Sequence, residues 1–335
     1  MIVAQASHAI FRSPGPPQPG VHPSGGTIMY LVTGASGTVG KAVLNEVAKT
    51  GAPHRAMYRS FTGSAKAPAG TSPVIADFSR KDTLAPALEG VHSVFLVCSS
   101  IPQLIELEWN MIDACIAADV GHIVLCSAMG AREWRKSFPS WHRRVEDKLK
   151  STKISFTILR PNSFHQNVVT YFAPSIRSQG VFHCSMANAR VSFLDVRDIA
   201  AVAAKSLEGG EHSGKTYELN GPEALTYSEL AAKISTHSGR DVQYVDIPGE
   251  KLRKSMLDRG FPEWHADALL DLWAYYHTGK GSRIDGLLEQ LIGRSPVTMD
   301  QFLAEFANEF RAETGEPAPA EVPAEVKPQT EAASA

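Results

Sequence analysis

No apolar run in this chain reaches the roughly 18 residues needed to cross a bilayer, so a membrane-spanning role is not expected. An excess of one charge is also missing. Thirty-three Lys and Arg stand against 35 Asp and Glu, and a formal net charge of -2 gives no field that would gather nucleic acid or an anionic membrane surface. Cysteine is scarce: Cys98, Cys115, Cys126 and Cys184 show no C-x-x-C spacing, and three of them lie inside apolar runs. That pattern points to free buried thiols in a reducing cytoplasm, with no metal site expected. The opening MIVAQASHAIF lacks a basic start and a long apolar stretch, so it does not read as a secretory leader.

Both ends lack apolar residues in sufficient density. Residues 13–26 are rich in Pro and Gly, and residues 315–335 are dominated by Ala, Glu and Pro. Neither stretch can offset its ordering entropy by burial. The expected organisation is therefore a disordered extension over 1–28, a domain over 29–311 and a disordered tail over 312–335. Met29 reads as the effective start of the domain, so removal of residues 1–28 is expected to leave folding and cofactor binding intact. What remains is long enough to bury a sizeable core.

From Met29 the apolar pattern alternates between short strands and amphipathic helices. Strands are expected at Met29–Thr33, His54–Tyr58, Pro73–Ala76, Ser93–Val97, His122–Cys126 and Ile154–Leu159. Helical stretches are expected at Thr38–Thr50, Lys81–Leu88, around Ile105, Trp109, Ile112 and Ile116, and at Pro139–Ser151. This rhythm predicts an α/β fold, a doubly wound parallel (Rossmann) sheet covered on both faces. Beyond Arg160 it breaks. Residues 161–190 show no sustained period; Arg190–Leu194 reads as strand-like; helices are expected at Val196–Leu207, Tyr227–Ser238 and Trp264–Tyr276. Residues 29–160 are thus the Rossmann core, and 161–311 mainly a smaller C-terminal lobe over the reactive end of the site. Trp264 and Trp273 read as core.

Between the first strand and first helix lies Thr33-Gly-Ala-Ser-Gly-Thr-Val-Gly40. Gly34 permits a sharp turn out of the strand, Gly37 lets main-chain N–H groups approach a pyrophosphate, and Gly40 lets helix and strand pack closely. The helix N-terminus adds unpaired donors and a partial positive charge. Gly34, Ala35, Ser36, Gly37, Thr38, Val39 and Gly40 are therefore the expected dinucleotide loop. The carboxylate that usually ends the second strand, and that accepts hydrogen bonds from the adenosine ribose, is absent. Arg59 stands in its place with Ser60 beside it. A guanidinium there suits a 2′-phosphate, which predicts NADP(H) as cofactor. Asp77 and Phe78, after the third strand, are candidates for the adenine, and Cys98, after the fourth, joins the candidate cofactor residues.

Taken together, Thr33–Gly40, the run Glu146–Asn162 ending in Leu-Arg-Pro-Asn, Phe193–Ala204, Tyr217–Pro222, and Ile292-Gly-Arg-Ser-Pro296 followed by Phe302 resemble the NmrA-like family of atypical short-chain dehydrogenase/reductases, over about residues 29–311. The family mixes NADP(H)-dependent reductases with cofactor-sensing regulators. The resemblance implies that Pro161 and Asn162 join the cofactor site and that Phe164 and Asn167 line the substrate side. Asp195 and Asp198 read as structural, the first as a helix cap. Conventional superfamily members use Ser, Tyr and Lys. Anchored on Glu146, the Lys position is His142 and the Tyr position is Phe138, while Ser127 keeps the Ser position. Phe138 cannot transfer a proton.

Two readings follow. In one the chain is an NADPH-dependent oxidoreductase passing hydride to a small electron-poor acceptor (a quinone, azo compound or enone), with His142 and Ser127 as candidate catalytic residues and His165 and Tyr171 as further proton-donor candidates on the substrate side. His142 is equally suited to the nicotinamide ribose. In the other the chain is a non-catalytic NADP(H) sensor acting through a protein partner. The basic stretch Arg132, Arg135, Lys136, Arg143, Arg144 reads as a solvated helix face. Oligomeric state is not readable from these features.

Overall fold

The computed structural model describes residues 28–64, 67–132 and 137–312. Apart from Ile28 and Ala312, the expected extension and tail lie outside the described residues, as do Arg135 and Lys136. In chain order the strands are β1 (Tyr30–Val32), β2 (His54–Tyr58), β3 (Ser72–Ile75), β4 (Ser93–Leu96), β5 (His122–Cys126), β6 (Ser155–Pro161), β7 (Val181–Cys184), β8 (Lys215–Leu219) and β9 (Gln243–Asp246). Seven of them form one parallel sheet in the order β3-β2-β1-β4-β5-β6-β8. The order reverses between β1 and β4, which opens a crevice beyond their carboxyl ends. β4 and β5 are buried along their whole length, as interior parallel strands require.

Helices cover both faces. Thr38–Lys49 buries Val39, Gly40, Val43, Leu44 and Val47 against Val196–Ser206, whose small residues Ala200, Ala203 and Ala204 allow close approach. Asp195 caps that second helix by accepting from the Arg197 N–H at 2.8 Å, and Asp198 accepts from the Val297 N–H at 2.8 Å. Both aspartates hold the fold together, as their position before and in a first helical turn implies. Leu104–Ala117 and Ser137–Lys150 cover the opposite face. Among the described residues, no helix is long and apolar enough to cross a membrane.

The later lobe has its own core around Phe182, Phe193, Tyr227, Trp273 and Phe302. Here the structure departs from the sequence pattern. Residues 165–179 are not irregular: His165–Asn167, a π-helical turn at Val168–Phe172 and Ala173–Gln179 form a helical stretch ended by Gly180 at φ 71°. The wide turn shifts the periodicity, which hides the helix from a 3.6-residue template. Arg190–Leu194 forms only isolated bridges, Val191 with Leu225 and Leu194 with Phe164. β8 was not expected; it forms the edge of the main sheet, and β7 and β9 pair in a separate parallel ribbon. Trp273 is core, but Trp264 is half-buried and meets Trp141 of the first lobe at 6.3 Å.

Candidate active site

The glycine loop crosses the mouth of the β1–β4 crevice. Thr33 binds the two strand ends together: its hydroxyl donates to the Phe95 carbonyl at 2.9 Å and accepts from the Val97 N–H at 2.9 Å. Gly34 adopts φ 57°, and a Cβ there would meet Val97 at 2.8 Å. A Cβ at Gly40 would lie 2.1 Å from the Gly34 carbonyl oxygen. Those two glycines are required by the protein's own packing. Gly37 differs. Its N–H closes the loop on the Gly34 carbonyl at 2.9 Å, and a Cβ there would touch only that carbonyl, at 3.4 Å. The protein therefore does not require glycine at 37 for its own packing, whereas a ligand lying against the helix N-terminus would. Ser36 and Thr38 are exposed, while Ala35 and Val39 are buried.

At the other end of the crevice, Arg59 and Ser60 are exposed directly after β2. Arg59 makes no ion pair among the described residues, so its guanidinium is uncommitted. The half-buried Asp77 accepts from the Ser79 N–H at 2.8 Å and hydroxyl at 2.7 Å, which closes a local turn. The Phe78 ring is not a ligand face: it is 7% exposed and packs in the core beside Leu84 and Met111, and its carbonyl accepts from Asn110 at 3.0 Å. Cys98 is half-buried at the end of β4, and burial pushes its thiol well above the ordinary range.

The candidate reaction end is built on the helix Ser137–Lys150. Phe138 and His142 lie one turn apart on it, with rings edge to face at 6.4 Å. His142 is 3% exposed; its Nε2 lies 3.4 Å from the Ser100 hydroxyl, and its Nδ1 has no partner among the described residues. Burial pulls this imidazole down to about 4, against a smaller opposing pull from Glu146. Burial thus favours the neutral ring, which weighs against a role as an acid. The Ser127 hydroxyl is engaged within the protein. Ser127 is 4% exposed, and its hydroxyl donates to Glu146 Oε1 at 2.7 Å. Glu146 also accepts from Arg160 Nε at 2.8 Å, Arg160 Nη2 at 2.6 Å and Lys150 Nζ at 3.0 Å. Burial alone would raise the Glu146 carboxyl, but the bonds from Arg160, Ser127 and Lys150 hold it below its usual range. Ser127 is part of this ion network, its hydroxyl proton directed at Glu146.

Beyond β6, Pro161 is buried. The Asn162 amide is spent within the protein: it donates to Ser192 Oγ at 3.0 Å, Asn220 Oδ1 at 3.1 Å and the Gly281 carbonyl at 2.9 Å, while its oxygen accepts from the Ser163 N–H at 2.9 Å. It ties four chain segments together and offers no side-chain contact to a cofactor. His165 lies away from solvent. It is fully buried, its ring 5.4 Å from that of Phe302, with Nδ1 3.8 Å from Asp195 Oδ2. Phe164, Asn167 and Tyr171 are half-buried. The Asn167 amide donates to Ser163 Oγ at 3.4 Å.

Two features escaped sequence reasoning. Arg160 is 5% exposed inside a parallel strand, and such a charge demands a carboxylate; the Ile-Leu-Arg-Pro run carried that signal. Glu108 is fully buried on the helix Leu104–Ala117, and among the described residues its carboxyl has no ion pair and no side-chain hydrogen bond, only the pull of the Cys98 main-chain N–H. Burial raises its carboxyl well above the usual range.

The comparisons with known proteins agree with this architecture. A model of the NmrA-like family matches residues 27–303, and the chain belongs to that family. It is 31% identical over 286 residues to an NAD(P)H azoreductase of Xenophilus azovorans, covering 85% of this chain and 100% of that protein. It is 31% identical over 287 residues to the (4-alkanoyl-5-oxo-2,5-dihydrofuran-3-yl)methyl phosphate reductase of Streptomyces griseus, covering 85% and 100%. Among solved structures, an NADPH-dependent quinone oxidoreductase of Escherichia coli complexed with NADPH matches with a TM-score of 0.77 and 27% identity, over 83% of this chain and 99% of that one.

Proposed function

We propose that this chain is an NADPH-dependent oxidoreductase that reduces a small electron-poor acceptor of quinone, azo or enone type. The observation that carries the reading is an intact dinucleotide crevice beside a reaction end with no titrating acid at the three conventional positions. Gly37 leaves room where a diphosphate lies, Arg59 is free to meet a 2′-phosphate, and the unpartnered Nδ1 of His142 suits a ribose hydroxyl. NADPH, when bound, supplies hydride. Phe138 offers an apolar wall, Ser127 is held by Glu146, and His142 stays neutral, so none of them delivers a proton. Acceptors whose reduced form is a delocalised anion tolerate this, because water protonates them afterwards. An ordinary ketone does not, because its alkoxide needs an acid in the transition state. Relatives named as an azoreductase and a quinone oxidoreductase support this class of acceptor.

The test is direct. Purified protein is mixed with NADPH and a panel of quinones, azo dyes, enones and simple ketones, and loss of the reduced nicotinamide absorbance is followed. Turnover with one of the first three classes and none with ketones is expected. Tight NADPH binding with no turnover across the panel refutes the reading.

A further inference from the structure

In the β6–β8 register Arg160 lies opposite Glu218, on the sheet face that carries the helix Ser137–Lys150. β8 is the edge of the sheet, and beside it this face opens into a cavity of about 590 Å³. The size is within the roughly 300–1,000 Å³ typical of small-ligand sites. Its wall is almost wholly charged. Along it runs an alternating chain: Lys150 to Glu146 at 3.0 Å, Glu146 to Arg160 at 2.6 Å, Arg160 to Glu218 at 3.4 Å, Glu218 to Arg283 at 4.0 Å and Arg283 to Asp285 at 3.1 Å. Within that chain each carboxylate is matched by a cation. Arg143 pairs with Asp147 at 3.5 Å. Among the described residues that line the cavity, Arg132 is the unmatched charge. Its side chain makes no ion pair among the described residues, and its carbonyl accepts from Arg143 Nη1 at 2.7 Å, which draws both arginines to one rim.

We propose that this cavity is a second small-molecule site, separate from the dinucleotide crevice, for a hydroxyl-bearing metabolite with one phosphate or carboxylate group. Arg132 and Arg143, with Arg283 across the cavity, present planar donors that match either anion. Glu218 and Asp285 are positioned to accept from hydroxyls on the same molecule. A flat apolar acceptor finds no apolar wall here beyond Leu287. The inner wall is Arg160 and Glu146, and Glu146 holds Ser127, so an anion drawn to Arg160 would act on the reaction end through one shared carboxylate.

The full chain is melted with glucose 6-phosphate, gluconate or glucose against sodium chloride at matched ionic strength, with and without NADPH, for the parent, Arg59→Glu, Arg132→Glu and Arg283→Gln. A saturable rise in Tm with glucose 6-phosphate or gluconate and none with glucose is expected, and which of the two anions acts identifies the group. The rise should persist in Arg59→Glu, which excludes binding at the cofactor's phosphate position. Apparent affinity should fall at least tenfold in Arg132→Glu and Arg283→Gln; the second carries the test if the first does not fold. A rise no larger than that with sodium chloride, or one that survives undiminished in both cavity variants, overturns the proposal.

Discussion

Replacing Glu146 by Leu should cost more stability than any other single change at the reaction end. The Glu146 side chain is 1% exposed and accepts from Ser127, Lys150 and, twice, Arg160. Without it, the 6% exposed Arg160 guanidinium keeps only Glu218 among the described residues, at 3.4 Å. A buried charge stripped of its main partner costs about 3–5 kcal/mol. At about 2–4 °C per kcal/mol, Tm should fall by about 6–20 °C, toward the lower end for a chain of this length. The double variant Glu146→Leu/Arg160→Met removes the stranded charge and should recover most of the loss. The pH dependence has a defined sign. The folded-state carboxyl is held below its ordinary value of 4.5, so its contribution is complete above that value and vanishes as pH falls through the folded one. The gap between parent and Glu146→Leu should therefore narrow in acid. Thermal melts followed by circular dichroism decide the matter. A loss under about 1 kcal/mol, or a double variant no better than the single, refutes the assignment of this network as a buried, mutually dependent unit.

Three further perturbations separate the roles assigned above. Gly40→Ala places a Cβ 2.1 Å from a main-chain oxygen and should disrupt the fold, whereas Gly37→Ala should fold and lose NADPH affinity at least tenfold; undiminished affinity in Gly37→Ala would contradict a diphosphate at that point. His142 titrates near 4, so NADPH oxidation should show no inflection from it between pH 5.5 and 8; an inflection near 6.5 that disappears in His142→Gln would restore it as an acid. Glu108→Leu removes a buried acid that has no ion pair among the described residues and whose folded-state value is raised, so wild-type stability is penalised increasingly as pH rises above 4.5; the variant should gain about 1–3 kcal/mol at pH 8 and less at pH 4.5, and destabilisation at pH 8 would show that the contact with the Cys98 N–H outweighs the cost of burial.

The sheet was legible because its interior strands are short apolar runs and its helices bury a regular stripe, as in Val39, Val43 and Val47. The glycine loop was legible because its constraints are local. The lobe beyond Arg160 was legible in part: the helices Val196–Ser206, Tyr227–Ser238 and Glu263–His277 lie where their apolar stripes place them, but the segment after β6 and the strands do not follow from the pattern. Its first helix passes through a π turn, and β8, β7 and β9 carry half-exposed residues whose pairing partners lie far away in sequence. At the reaction end the residue positions could be read, but their charge states could not. Ser127 and His142 stand where a superfamily motif places reactive groups, yet what they can do is set by Glu146 and by burial. Asn162 and His165 illustrate the same limit, since residues at the end of β6 serve the junction between lobes as readily as a ligand.

The account rests on a phosphorylated dinucleotide lying from Gly37 to Arg59. Isothermal titration of the full chain with NADPH and NADH, repeated on Arg59→Glu, tests it most directly. A charge-assisted contact worth about 1.5–3 kcal/mol predicts that NADPH binds about ten- to a hundredfold more tightly than NADH, and that Arg59→Glu abolishes the preference while sparing NADH. Equal affinity for the two cofactors in the parent protein, or no binding of either at millimolar concentration, would contradict it.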